Sequence, residues 1–175
     1  MMHEDWLQTL AEIAVTLAGF SGLLSGIRQR TERETRVNST RLRTIVETSL
    51  SVLAFCLIPV FLAGLGLTEN AAFRVAAAAF LLGFVPSTIR GFQRFLRASG
   101  PENDVASSGL LRITAVVSAI ALLSSVACIV GLPPDRVPTF YLISLACTLS
   151  IGATNFLGFA IGLAQLEALD EGQPD

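Results

Sequence analysis

Apolar residues fill five stretches of this chain with few interruptions: about Trp6 to Ile27, Thr44 to Leu67, Ala71 to Ile89, Ser107 to Gly131 and Pro138 to Leu166. A helix that crosses the hydrocarbon core of a bilayer needs roughly 20 mostly apolar residues, and each stretch approaches or exceeds that length. The expected fold is therefore all-α, a polytopic transmembrane helix bundle forming a single domain over residues 1–175. Pro59 falls inside the second stretch and is expected to bend it, because a mid-helix proline removes a backbone hydrogen bond. The third stretch is bracketed by Arg74 and Pro86, and the fifth is long enough to tilt or project beyond the membrane.

The polar interruptions set an expected orientation. The segment 28–43 carries Arg28, Arg30, Arg33, Arg36, Arg41 and Arg43, and the later segment 90–106 adds Arg90, Arg94 and Arg97. The turn at 68–70 has no basic residue, and 132–137 has only Arg136. Basic residues are retained on the cytoplasmic side, so this alternation fits five spans with the N-terminus outside and the C-terminus inside. The acidic tail Glu167, Asp170, Glu171 and Asp175 does not oppose this, since acids count little in the rule. Glu4 and Asp5 stand where a secretory signal would be basic, so the first stretch reads as a retained helix. Because that stretch contains Glu12, a second arrangement is open: four spans, with the first helix interfacial or re-entrant.

Rows of small residues recur at four-residue spacing, where they would share a helix face and let backbones approach. They are Ala14, Ala18, Gly22 and Gly26 in the first helix; Ala79, Gly83, Ser87 and Gly91 in the third; and Ser150, Thr154, Gly158 and Gly162 in the fifth. These rows are expected to be packing grooves, within one bundle or between copies.

Composition agrees with residence in lipid. Over 175 residues the chain is 52% hydrophobic and 15% charged, and its mean hydropathy is +0.64. A net charge of -2 gives no global basic excess for nucleic-acid binding. All twelve basic residues are Arg, which with abundant Ala and Gly matches the codon usage of a GC-rich bacterial genome and suggests a bacterial inner membrane. Cys56, Cys128 and Cys147 lie inside apolar runs and are read as packing thiols. With His3 the only histidine and no Cys pair at ligand spacing, no metal or other cofactor is expected.

Few ionisable groups interrupt the apolar runs, and such groups invite a functional reading. Glu12 lies about 9 Å from the outer end of the first helix at 1.5 Å per residue. Glu47 begins the second helix, four residues after Arg43, with which it can pair. Asn155 beside Thr154 needs a hydrogen-bond partner and is placed to join a polar core with serines such as Ser21, Ser118 or Ser124. The six arginines of 28–43 are candidates for anionic headgroup contact, at about 1 kcal/mol per basic residue near the surface. Asn38 or Ser39 would cap the second helix.

No nucleotide loop, nucleophile elbow or intramembrane protease motif is present, so an enzyme is not expected. The functional expectation is a small bacterial inner-membrane protein that forms a homo-oligomeric pore or transport-related unit, with Glu12, Glu47 and Asn155 on the inner surface. The alternative is a non-transporting accessory or scaffold protein that binds a membrane partner protein or anionic lipid.

Overall fold

A computed structural model describes residues 2–28, 36–98, 106–131 and 133–171, with side chains over 5–23, 42–93, 112–131 and 133–158 and at 109 and 160. It contains five α-helices in chain order: α1 (Met2–Arg28), α2 (Arg36–Gly64), α3 (Glu69–Ala98), α4 (Ala106–Val130) and α5 (Val137–Glu171). A short 3₁₀ turn, Pro134–Arg136, leads into α5. Among the described residues there is no strand.

Four helices contain segments long and apolar enough to cross a membrane: Leu42–Gly64 in α2, Glu69–Gln93 in α3, Arg112–Val130 in α4 and Pro134–Gly158 through α5. The side chains of α1 are described only over residues 5–23, a part that carries Asp5, Gln8 and Glu12, and α1 is not one of these four. The chain is therefore a multi-pass membrane protein with four candidate spans and a fifth helix packed beside them. That exterior is apolar, as a lipid-facing surface must be: Leu82 is 79% exposed and Leu123 is 71% exposed.

The helices extend past the apolar runs. Pro86 does not end α3, which continues to Ala98, and α2 begins at Arg36, ahead of both Asn38 and Ser39. Neither residue therefore occupies the cap position expected for it. The turn between α2 and α3 closes on Gly66 at φ 91°, a left-handed conformation that glycine adopts without Cβ strain. The amide of Gly66 donates to the Ala63 carbonyl at 2.9 Å and that of Leu67 to the Leu62 carbonyl at 3.3 Å, the paired bonds of a Schellman ending. Gly131, at φ 73°, ends α4 in the simpler left-handed form, its amide donating to the Ala127 carbonyl at 2.9 Å.

α5 is the hub. It touches each of the other four helices, while α1, α2, α3 and α4 follow one another around it, each packed on the next. The buried seams have alternating spacings of three and four on three helices, Ile45, Ser49, Val52 and Cys56 on α2, Phe73, Ala77, Phe80 and Phe84 on α3, and Ser118, Ala121, Ser125 and Cys128 on α4, and steps of seven on α1, at Leu7, Ala14 and Ser21. A 3.5-residue repeat drifts by only about 20° per seven residues on a 3.6-residue helix and gives left-handed packing. Aromatic rings fill the centre. Phe55 meets Phe80 edge-on at 5.2 Å, Phe80 stacks on Phe84 at 4.9 Å, and Phe73 meets Tyr141 edge-on at 5.6 Å.

The four-residue rows do not follow these seams. Each four-residue step turns the helix face by about 40°, so a row of four sweeps away from any one neighbour. Ala14 is fully buried and Ala18 half-buried, but Gly22 is exposed, with nothing near the place of a Cβ. On α3, Ala79 is half-buried, while Gly83 and Ser87 are exposed; a Cβ on Gly83 would lie 3.3 Å from the Phe55 ring. On α5, Ser150 is exposed, and Thr154 and Gly158 are half-buried. Gly26 and Gly162 lie outside the residues whose surroundings are described. The close glycine contact is instead at Gly152, where a Cβ would stand 2.7 Å from Thr48 Oγ1 and 3.3 Å from Leu17 Cδ2.

Candidate functional site

Every described Asp, Glu and Arg side chain is exposed, on the outer surface of the bundle or at its ends. The interior holds neutral hydroxyls, thiols and rings. Charge is costly at the centre of a membrane, about 2.5–3.5 kcal/mol per ionised residue on insertion scales, and a lone bundle interior offers no water to offset it. The chemistry that could carry function thus divides into a neutral polar interior and a charged exterior.

The interior network lies between α4 and α5. The Ser125 hydroxyl is 2.8 Å from the Ala121 carbonyl and 2.9 Å from Ser144 Oγ. Ser144 Oγ in turn reaches the carbonyls of Ala121 and Phe140 at 3.1 and 3.0 Å. One turn further, Thr148 donates to the Ser144 carbonyl at 2.9 Å. Hydroxyls in membrane helices commonly bond their own preceding turn, and Ser144 adds a crossing between two helices. Ser49 on α2 and Ser118 on α4 differ: both are buried, and neither oxygen has a hydrogen-bond partner.

Tyr141 makes the longest-range polar contact in the core. Its hydroxyl donates to the Phe55 carbonyl at 2.7 Å. Phe55 lies four residues before Pro59, whose ring nitrogen has no hydrogen to give it. Cys56 and Cys128 are buried nearby, Cys147 is half-buried, and all three thiols are free. Among the described residues no group of His, Cys, Asp or Glu could hold a metal ion.

The candidate residues named from sequence occupy separate places. Glu47 is exposed and pairs with Arg43 at 2.6 Å on the surface of α2. Asn155 is half-buried and donates to the Ile151 carbonyl at 2.8 Å, one turn earlier in its own helix, and Thr154 donates likewise to Ser150 at 2.7 Å. Ser21 is buried and bonds the Leu17 carbonyl at 2.7 Å, and Ser124 is half-buried. These groups do not converge on one polar core. Arg74 lies with its guanidinium against Gly131, beside the electronegative C-terminus of α4. Arg30 and Arg33 lie outside the described residues, as do the side chains of Arg28, Arg36 and Arg41.

Glu12 is exposed and accepts a hydrogen bond from Gln8 at 2.9 Å. Its depth follows from its neighbours. Leu17 and Thr48 both press on Gly152, so they share a level. α1 and α2 run alongside with the chain reversing between them, so five residues back from Leu17 matches five residues forward from Thr48, about 7.5 Å along either axis. Glu12 therefore stands level with Leu53, midway along the apolar segment Leu42–Gly64. Thr9 and Thr16 flank it on the same exposed side and bond the carbonyls of Asp5 and Glu12 at 2.9 and 2.8 Å. α1 thus turns a polar stripe outward at a depth midway along the apolar segment of α2.

Tyr141, Gly152, Ser49 and the Ser125–Ser144 pair were not singled out from sequence. Signals for two of them exist: a proline four residues after Phe55 requires a substitute donor, and Ser144, Thr148 and Gly152 form a small-residue row offset by two residues from the row at Ser150, Thr154 and Gly158. Comparison with protein families, characterised proteins and solved structures finds no match to this chain.

Proposed function

We propose that the protein is a homo-oligomeric, transport-related unit of a bacterial inner membrane, in which the polar route runs between copies. The carrying observation is the position of Glu12, outward-facing at mid-span with Gln8, Thr9 and Thr16 within about a turn of it, while no described Asp, Glu or Arg side chain lies inside the bundle. Between α2 and α3 the interior is filled by the rings of Phe55, Phe80 and Phe84, which offer no polar atoms. A junction between copies can enclose the α1 stripe. In this reading α1 is the fifth span, the arginine-rich segments face the cytoplasm, and no bond-making chemistry takes place.

Purified protein in liposomes under a potassium diffusion potential, with an internal pH-sensitive dye, tests this. Flux is expected with the native chain and is expected to fall at least several-fold in Glu12→Gln. Equal flux with Glu12→Gln and Glu47→Gln together removes the pore reading. The second reading is a non-transporting scaffold, favoured by the packed interior, in which the arginines of 28–43 meet anionic lipid or a partner protein. It predicts no flux from the native chain and a stoichiometric foreign subunit after purification in mild detergent.

A further inference from the structure

We infer that copies of this chain meet in parallel along one seam of α1, formed by Asp5, Gln8, Glu12, Val15, Gly19 and Gly22. All six residues are exposed. Their spacings of three, four, three, four and three keep them on one face, opposite the buried Leu7, Ala14 and Ser21. The seam has two halves with different chemistry, and a second copy suits both.

In the first half, the Gln8 amide already donates to the Glu12 carboxylate within one helix at 2.9 Å. That leaves a second N–H and a carbonyl on Gln8, and a further oxygen on Glu12. Two copies related by an axis along the membrane normal place their α1 helices at equal depth. The donor of each then stands one turn from the acceptor of the other, the same offset that the intrachain bond spans. The set is complementary to itself. Acyl chains offer neither donors nor acceptors, so lipid leaves these groups unmet. A different protein would need a matching pair at the same depth, which a second copy carries by symmetry.

In the second half, a Cβ added to Gly19 or Gly22 would meet nothing within 4 Å. Neither glycine is needed for close packing inside the bundle, yet both leave a groove on the face that carries Glu12. Parallel helices in membranes approach most closely where such residues line the contact. The exposed seam of α5 contrasts with this. It includes Ile143, Ala146, Ser150, Ala153 and Leu157, whose one hydroxyl already donates to the Ala146 carbonyl at 2.8 Å, so lipid can cover it at little polar cost.

The inference rests on the homo-oligomer reading above and adds its interface, and one pair of measurements separates the two. In a Cys147→Ala background, Val15→Cys, Gly19→Cys, Ile13→Cys and Phe20→Cys are oxidised singly in native membranes with copper phenanthroline. Mass in detergent is measured by light scattering on the same proteins before oxidation. Expected are more than one copy per particle and disulfide-linked dimers at positions 15 and 19 but not at 13 and 20, which face the flanks. Gly19→Leu with Gly22→Leu is expected to leave helix content and thermal stability unchanged while reducing the mass toward one copy. An oligomeric mass without cross-links at 15 and 19 overturns the α1 seam and leaves the oligomer reading standing. A monomeric native mass removes both.

Discussion

The hydroxyl of Tyr141 donates to the carbonyl of Phe55, the acceptor that Pro59 leaves without a helical donor. A proline inside α2 frees that carbonyl, and in a lipid-embedded core a freed carbonyl is expensive unless something supplies a hydrogen. α5 supplies it across the bundle. The bond fixes the depth of α5 against α2 and places the Tyr141 ring on Phe73.

Removing the donor should therefore cost stability, and restoring the helical one should recover it. Tyr141→Phe keeps the ring and strands the Phe55 carbonyl, at about 1–3 kcal/mol for a buried group without a partner. Pro59→Ala returns an N–H to that carbonyl. Thermal denaturation in detergent should show a clear loss for Tyr141→Phe and a smaller loss when the two are combined. Additive effects in the double-mutant cycle would mean that the bond and the proline are not linked.

Gly152 should tolerate no side chain while Thr48 is present. A methyl at Gly152 would lie 2.7 Å from Thr48 Oγ1, and that hydroxyl is held by the Thr44 and Ile45 carbonyls at 2.8 and 3.0 Å. Gly152→Ala is expected to destabilise by about 1–3 kcal/mol through overpacking. Adding Thr48→Ala should return part of the loss, read as a rise in melting temperature over the single variant.

The buried hydroxyls should divide by their partners. Ser144→Ala removes contacts to Ser125 and to the Ala121 and Phe140 carbonyls and should destabilise by roughly 0.5–1.5 kcal/mol. Ser49→Ala and Ser118→Ala each delete a buried oxygen with no partner, and should be neutral or stabilising. A large loss from either would show that its oxygen is bonded in the membrane.

The Arg43–Glu47 pair should contribute little. Its side chains are 65% and 50% exposed, and exposed pairs one turn apart stabilise by about 0.3–0.5 kcal/mol. Glu47→Gln should lower the melting temperature by no more than a few degrees, with the shift shrinking as salt is raised.

Gly131→Ala should cost more than Gly22→Ala. Gly131 sits at φ 73° with the Arg74 guanidinium where a Cβ would go, so alanine brings left-handed strain of about 1–2 kcal/mol and displaces Arg74. Gly22 is helical and has open space, so alanine there should leave the stability of the monomer within about 0.5 kcal/mol of the native value, read by thermal denaturation.

The helices themselves were legible in the chain. A run of apolar residues placed in lipid must satisfy each backbone hydrogen bond within itself, which makes helix the local solution wherever α2, α3, α4 and α5 are apolar. The interruption of α1 by Glu12 was legible too. Tertiary structure decided which way each face turns. In water, polarity marks the outside of a helix; in lipid both sides of α4 and α5 are apolar, so little in their sequence distinguishes Ser118 facing inward from Val116 facing out. The packing period was equally hidden, because small residues at steps of four and of three-and-four both occur, and only the crossing of real neighbours selects one. That selection buried Gly152 in place of Gly158, brought Tyr141 to the carbonyl freed by Pro59, and left Glu12 on the outside, where another chain can meet it.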